Sequence, residues 1–241
     1  MKVHFMLGMM NSGKLGHASV FLAGGILAAM LVGCQKNTNV VSPGLDVLTD
    51  TLRNHSVQAE LYLPVYEAPQ RGPILGQNSM LRQQYAEKYF IAGNGRVAGV
   101  ILHVGGVYAN PNNTVDVAVR GVGVDGLPGV RLGGAAIRYE SLNLSGAAQY
   151  VAFPSAIAVA DSFFISFDLG DYGHGGFEGD SIGLYACKPG CRDSADLKIY
   201  GRNAVQRHNH ARVDWRDFFY QNLTPLAIHF ALYPVGEGLT Q

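Results

Sequence analysis

The stretch DLGDYGHGGFEGDS, Asp168 to Ser181, holds four acidic side chains, five glycines and one histidine. Several carboxylates on one glycine-rich loop are the raw material of an oxygen-ligated calcium site. Asp168, Asp171, Glu178 and Asp180 are the candidate ligands, although their spacing does not match the EF-hand pattern. Tyr172, His174 and Phe177 add aromatic faces to the same loop. Rings that stack on pyranose faces, beside carboxylates that accept from hydroxyls, would make a lip for a glycan. A solvated turn between two strands requires neither ligand and is the default reading.

Two other groupings carry possible chemistry. RHNH places His208 and His210 two residues apart, which on a strand puts both on one face, as metal ligands can be. Asp214 is the nearest acid, and a polar loop explains the pair equally well. CKPGC sets Cys187 and Cys191 across a Pro-Gly turn. In an oxidising compartment that spacing suits a small disulfide ring, and the lack of a second cysteine pair argues against zinc. Neither a nucleophile elbow, nor a zincin helix, nor a phosphate-binding loop is written in the chain. Lys+Arg and Asp+Glu are 18 each, so there is no basic footprint for nucleic acid.

The elements that would position these residues are strands. TVDVAVRGV alternates strictly, with Val115, Val117 and Val119 on one face and Asp116, Ala118 and Arg120 on the other. DGLPG, Asp125 to Gly129, is a turn by composition. DSFFISFDL precedes the acidic loop and SIGLYACK follows it. VDWRDFF places the lone Trp215 beside Val213, which favours a packing role for its ring. In LAIHFALYPV, Leu226, Ile228, Phe230 and Leu232 share a face opposite Ala227, His229, Ala231 and Tyr233. About nine short strands with Gly/Pro turns, and no helix-length amphipathic stretch, predict an all-β antiparallel sandwich.

The start of the chain is different. Lys2 and Lys14 precede an apolar run from Ala18 to Cys34, and no acid occurs before Asp46. That is the layout of a secretory signal. Its ending, LVGC (Leu31 to Cys34), resembles the bacterial lipoprotein lipobox. The resemblance implies a signal peptide over 1–33, cleavage before Cys34, and acyl chains such as palmitate on that cysteine. Gln35, where an inner-membrane retention signal would have Asp, implies the outer membrane. Residues 34–86 then read as a mostly irregular lipidated tether with one edge strand at Ala59–Glu67, residues 87–236 as the sandwich and 237–241 as a tail.

The order of signals in the sandwich resembles a jelly-roll-like module of type IX-secreted surface proteins. The pieces are YFIAGN (Tyr89–Asn94), VAGVILHVG (Val97–Gly105), VDVAVRGVGVDGLPG (Val115–Gly129), FPSAIAV (Phe153–Val159), FFISF (Phe163–Phe167), GDSIGLY (Gly179–Tyr185), then Arg202, Asn203 and Trp215. Such modules accompany peptidases or adhesins, so the resemblance implies fold and envelope location rather than chemistry. The expectation is a non-enzymatic outer-membrane lipoprotein acting as a binding or assembly module, without cofactor unless the loop takes calcium. The alternatives are glycan binding through the loop 168–180 and a hydrolase with an unfamiliar site. The partners expected are the membrane, through Cys34, and an envelope protein or glycan. The anchor is testable: a Cys34→Ser chain should leave the membrane fraction for the soluble one, and a Cys34→Ser chain that still sediments with outer membranes would refute it.

Overall fold

The computed structural model describes residues 50–68, 71–170, 179–209, 212–221 and 226–241. The leader and Cys34 lie outside this range. Among the described residues the structure is strands, turns and two short 3-10 segments, and no helix is long and apolar enough to cross a membrane. The strands are β1 (Asp50–Thr51), β2 (Leu61–Tyr62), β3 (Arg82–Gly105), β4 (Thr114–Val122), β5 (Pro128–Arg138), β6 (Ser145–Asp168), β7 (Gly183–Leu184), β8 (Ala186–Cys187), β9 (Asn203–Asn209), β10 (Arg212–Asp217) and β11 (Leu232–Glu237). Every pairing is antiparallel, as predicted, in one large open sheet and a small β2–β8 pair.

Two strands organise the fold. β3 and β6 are 24 residues each and run antiparallel along their whole length. Strands of that length cannot stay straight in a small domain, and the register of this pair breaks at three places, the first of them at the bend. Phe90 pairs with Ser162 and Asn94 with Ala160, so Ile91, Ala92 and Gly93 face a single residue, Asp161. Gly93 takes φ 84° and Asp161 φ 48°, the left-handed region that glycine and, less readily, aspartate tolerate. A bulge of this kind turns a strand from one layer into the next.

The bend gives each strand two halves with different neighbours. Residues 82–90 of β3 lie between β9 and β6, while residues 94–105 lie between β11 with β7 and β6. The C-terminal end of β6 is flanked by β3 and β4, and β5 closes that layer. The two layers share one core. Tyr85, Tyr89, Phe163 and Phe167 from the first meet Leu102, Phe230 and Leu232 from the second, all buried. The hydroxyl of Tyr89 donates across the core to the carbonyl of Leu232.

The β4 pattern is observed as expected: Val115, Val117 and Val119 are fully buried. The strand expected over LAIHFALYPV begins only at Leu232, and in the segment leading into it both alternating sets are buried, Ile228, Phe230 and Leu232 together with His229, Ala231 and Tyr233. The reason lies in residues 50–56, expected as tether. They are irregular but packed: β1 pairs with β11, Arg53 lies 4.2 Å from the Tyr233 ring centre, and His55 Nε2 is 2.9 Å from the Tyr233 hydroxyl. Burial, with His229 nearby, pushes the His55 pKa down. Ile74 and Leu75 are also buried, so the packed body begins ahead of Glu87. The strand expected at Ala59–Glu67 is reduced to Leu61–Tyr62, which pairs with β8. Cys187 and Cys191 are disulfide-bonded, as predicted.

One buried carboxylate joins these pieces. Glu87, on the inner face of β3, is fully buried. Its Oε1 accepts from Asn54 and from His229 Nδ1, each at 2.6 Å, and its Oε2 accepts from Asn203 and from the Phe230 amide. Asn203 in turn accepts from Arg192, which pairs with Asp196 at 2.6 Å, and Arg202 pairs with the same Asp196 at 2.7 Å. Four donors converge on one acceptor-only group, so an amide there would set an NH2 against a donor. Glu87→Gln should therefore cost about 3 kcal/mol of unfolding free energy. Glu60→Gln, which breaks only the exposed pair with Lys188, should cost under about 1 kcal/mol. Urea melts of the two variants check both values.

Candidate functional site

The β9–β10 hairpin is added to the outer edge of β3 before its bend. In β10, Trp215 stands opposite Gln206, in line with Gln84 of β3. Its ring packs on a small cluster on the outside of the first layer, made by Ala86, Leu127, Phe164 and Ala204. The packing expectation for Trp215 is thus met in part. The residue is only half-buried, and Arg120 lies 5.6 Å from its ring centre. Arg120 reaches there across the sheet, holding Ser166 and Gln84 on its way.

Leu127 reaches this face because the DGLPG turn folds back onto it. Gly123 donates to the Leu127 carbonyl at 2.7 Å, and the Asp125 carboxylate accepts from the Leu127 amide at 3.1 Å. The Lys88 ammonium holds the Gly126 carbonyl at 2.6 Å. The segment carrying Tyr200 presses against the same turn. At Gly201, φ is 71° and an added Cβ would lie 2.5 Å from the Gly126 carbonyl, so only glycine fits. Asp217, buried at the end of β10, fixes both tyrosine segments: its Oδ2 accepts from the Gly201 amide at 2.5 Å and its Oδ1 from the Tyr220 amide at 2.6 Å.

Between turn, hairpin and tyrosine segment lies an open cleft of about 610 Å³. Leu127 lies at its floor, and Asp125, Tyr200, Asp214, Trp215, Arg216 and Gln221 complete its lining. Tyr200 is 42% exposed, and Tyr220, 52% exposed, has its ring centre 6.2 Å from that of Tyr200 at an interplanar angle of 31°. Burial, then Asp217 and Asp125, push the Tyr200 phenol pKa up, so it stays an O–H donor. Asp214 and Arg216 alternate with Trp215 along the strand, so the cleft wraps around the edge of β10. The site therefore presents aromatic faces together with two carboxylates, an amide and a guanidinium. A second cleft of about 630 Å³, lined by residues of 51–58 and Gln241, offers no exposed aromatic ring.

The residues singled out in the sequence lie elsewhere. Asp171, Tyr172, His174, Phe177 and Glu178, and also His210, fall outside the described residues. His208 is in β9, paired with Val213. Asp168 ends β6 directly opposite Asp116 of β4, and its Oδ1 accepts from the Gly170 amide at 2.8 Å. Burial raises its pKa, and the Asp116 charge adds to the shift. Asp180 is buried, and its two oxygens accept four N–H groups, from the Ala109 and Asn110 amides and the Asn110 and Asn113 side chains. That carboxylate ties down the 107–113 loop. Among the described residues no group of three or more His, Cys, Asp or Glu side chains could hold a metal ion. Tyr200, Tyr220 and Gln221 are not visible in the sequence, and Asp214 stands out there only as an acid near His208 and His210, because no local pattern connects them with Asp125.

No protein-family model matches the chain, and no curated protein matches it. Among solved structures it is similar to the cysteine protease and lectin-like domains of Cwp84, a surface layer associated protein of Clostridium difficile, at 13% identity and a TM-score of 0.35. The match covers 67% of this chain and 33% of that one, so the chain spans about one-third of that neighbour's length.

Proposed function

We propose that this protein is a non-enzymatic, lipid-anchored binding module of the bacterial cell envelope, and that its ligand is a carbohydrate held in the Trp215–Tyr200 cleft. The observation that carries the reading is a half-buried tryptophan and the exposed Tyr200 set beside Asp125, Asp214 and Gln221 in one open cleft, with the exposed Tyr220 ring next to that of Tyr200. Pyranose rings have apolar C–H faces that stack on aromatic rings and hydroxyl edges that carboxylates and amides bind. Two carboxylates against the one guanidinium of Arg216 leave the lining one charge negative, which favours neutral or amino sugars over uronic acids. Asp125 and Asp214 stand at the open rim, where water reaches them. Glycoside hydrolysis draws on a carboxyl kept in a more apolar setting, which supports binding without turnover. The lipobox-like LVGC and Gln35 support an outer-membrane anchor at Cys34.

Calorimetry of the full chain in mild detergent, with a panel of neutral and N-acetylhexosamine tri- and tetrasaccharides, tests this. At least one sugar should bind, and Tyr200→Ala should weaken it tenfold or more, about 1.4 kcal/mol, without lowering the melting temperature. Binding that survives both Tyr200→Ala and Asp214→Asn would contradict the assignment of the cleft.

A further inference from the structure

Among the described residues, the bend that builds the sandwich leaves one long strand edge uncovered. Residues 162–168 of β6 have β3 on one side, and 164–168 have β4 on the other as well. Residues 145–160 pair with β3 alone. Among the described residues, no backbone group outside the β3 ladder bonds to the main chain of 147–160. A row of backbone donors and acceptors is thus left for another strand.

This edge lacks one of the usual protections, charge. Folded proteins blunt open edges by keeping them short, by charge, by proline or by bulges. The other outer edges here follow that rule. β1 is two residues long, β10 carries Arg212, Asp214, Arg216 and Asp217, and β5 carries Arg131 and Arg138. From Ser141 to Ala160 there is no charged side chain at all. Only Pro154, within the irregular register between Ala152 and Ile157, interrupts the run. Ala148, Tyr150 and Ala152 are exposed on the regular stretch before it, and the two alanines flanking the tyrosine allow close approach.

We infer that this edge is an assembly surface, and that its occupant is the same edge of a second copy. Antiparallel pairing of a strand with itself obeys a two-fold axis, so one patch completes the interface on both subunits. A charged edge would repel its own copy; an uncharged one does not. Pro154, which has no N–H, and the irregular register on either side confine the regular ladder to Ala148–Ala152. The dimer would join the β6 edges into a continuous sheet across the axis. The Trp215 cleft lies on the opposite side of β3 in the strand order and stays open, so the pair would present two ligand sites.

Native mass spectrometry of the full chain in mild detergent, with amide hydrogen exchange on the same sample, tests the inference. The expected result is a dimer with slowed exchange over 148–152. The double variant Ala148→Lys, Ala152→Lys should be monomeric, should lose that protection and should melt at the wild-type temperature, because both positions are exposed. Leu132→Lys on the β5 edge should remain dimeric. A monomeric wild type, or a dimer that tolerates both lysines, would overturn the inference, whatever the sugar experiments show.

Discussion

The bend shared by β3 and β6 is the constraint on which the rest of the structure depends. Three residues, Ile91 to Gly93, are set against Asp161, and the paired strands pass from one layer to the other. Because the ladder continues through the bend, the two layers are one sheet folded over its own core. The inner face of β3 just before the bend is therefore enclosed on all sides, and a polar group there must be fully bonded. Glu87 is that group, and its partners Asn54, Asn203, His229 and the Phe230 amide come from segments far apart in the chain. The carboxylate fixes how the N-terminal segment, the β9 edge and the approach to β11 meet.

The bend also divides the edges. Before it, β3 has an open flank, and the β9–β10 hairpin fills it, carrying Trp215 over the small residues Ala86 and Ala204. Those small side chains leave room for Leu127 of the folded-back turn, and the turn supplies Asp125 and the surface against which Gly201 packs. After the bend, the outer flank of β6 has no described strand beside it. The ligand cleft and the proposed assembly edge are thus two results of one backbone feature, placed on opposite flanks of the same pair of strands.

The sequence shows some of this and hides the rest for physical reasons. The class of fold is legible, because alternation such as Val115, Val117, Val119 reports a half-buried strand directly. The Cys187–Cys191 bond is legible from its spacing. The breadth of the packed body is not. Residues 50–81 form almost no regular ladder, and their irregular, proline-bearing sequence reads as a tether, yet Leu52, Ile74 and Leu75 pack inside. Nor is the cleft legible. Asp125, Tyr200, Asp214 and Gln221 meet only because the DGLPG turn folds back and Asp217 holds two loops, both consequences of tertiary contact. Trp215 beside Val213 suggests packing, and only the edge position of β10 leaves part of its ring open. Asp180 looks like a ligand in a string of acids, and its surroundings show a carboxylate satisfied by a neighbouring loop.

Trp215 is the sole tryptophan in the chain, so its fluorescence reports on the cleft without interference. Titration of the full chain with the neutral and N-acetylhexosamine oligosaccharides, followed at tryptophan emission, tests the central claim most directly. A saturable change in intensity and wavelength, with a midpoint equal to the calorimetric affinity, is the predicted result. A sugar that binds by calorimetry while Trp215 emission stays constant would contradict it and place the ligand elsewhere on the molecule.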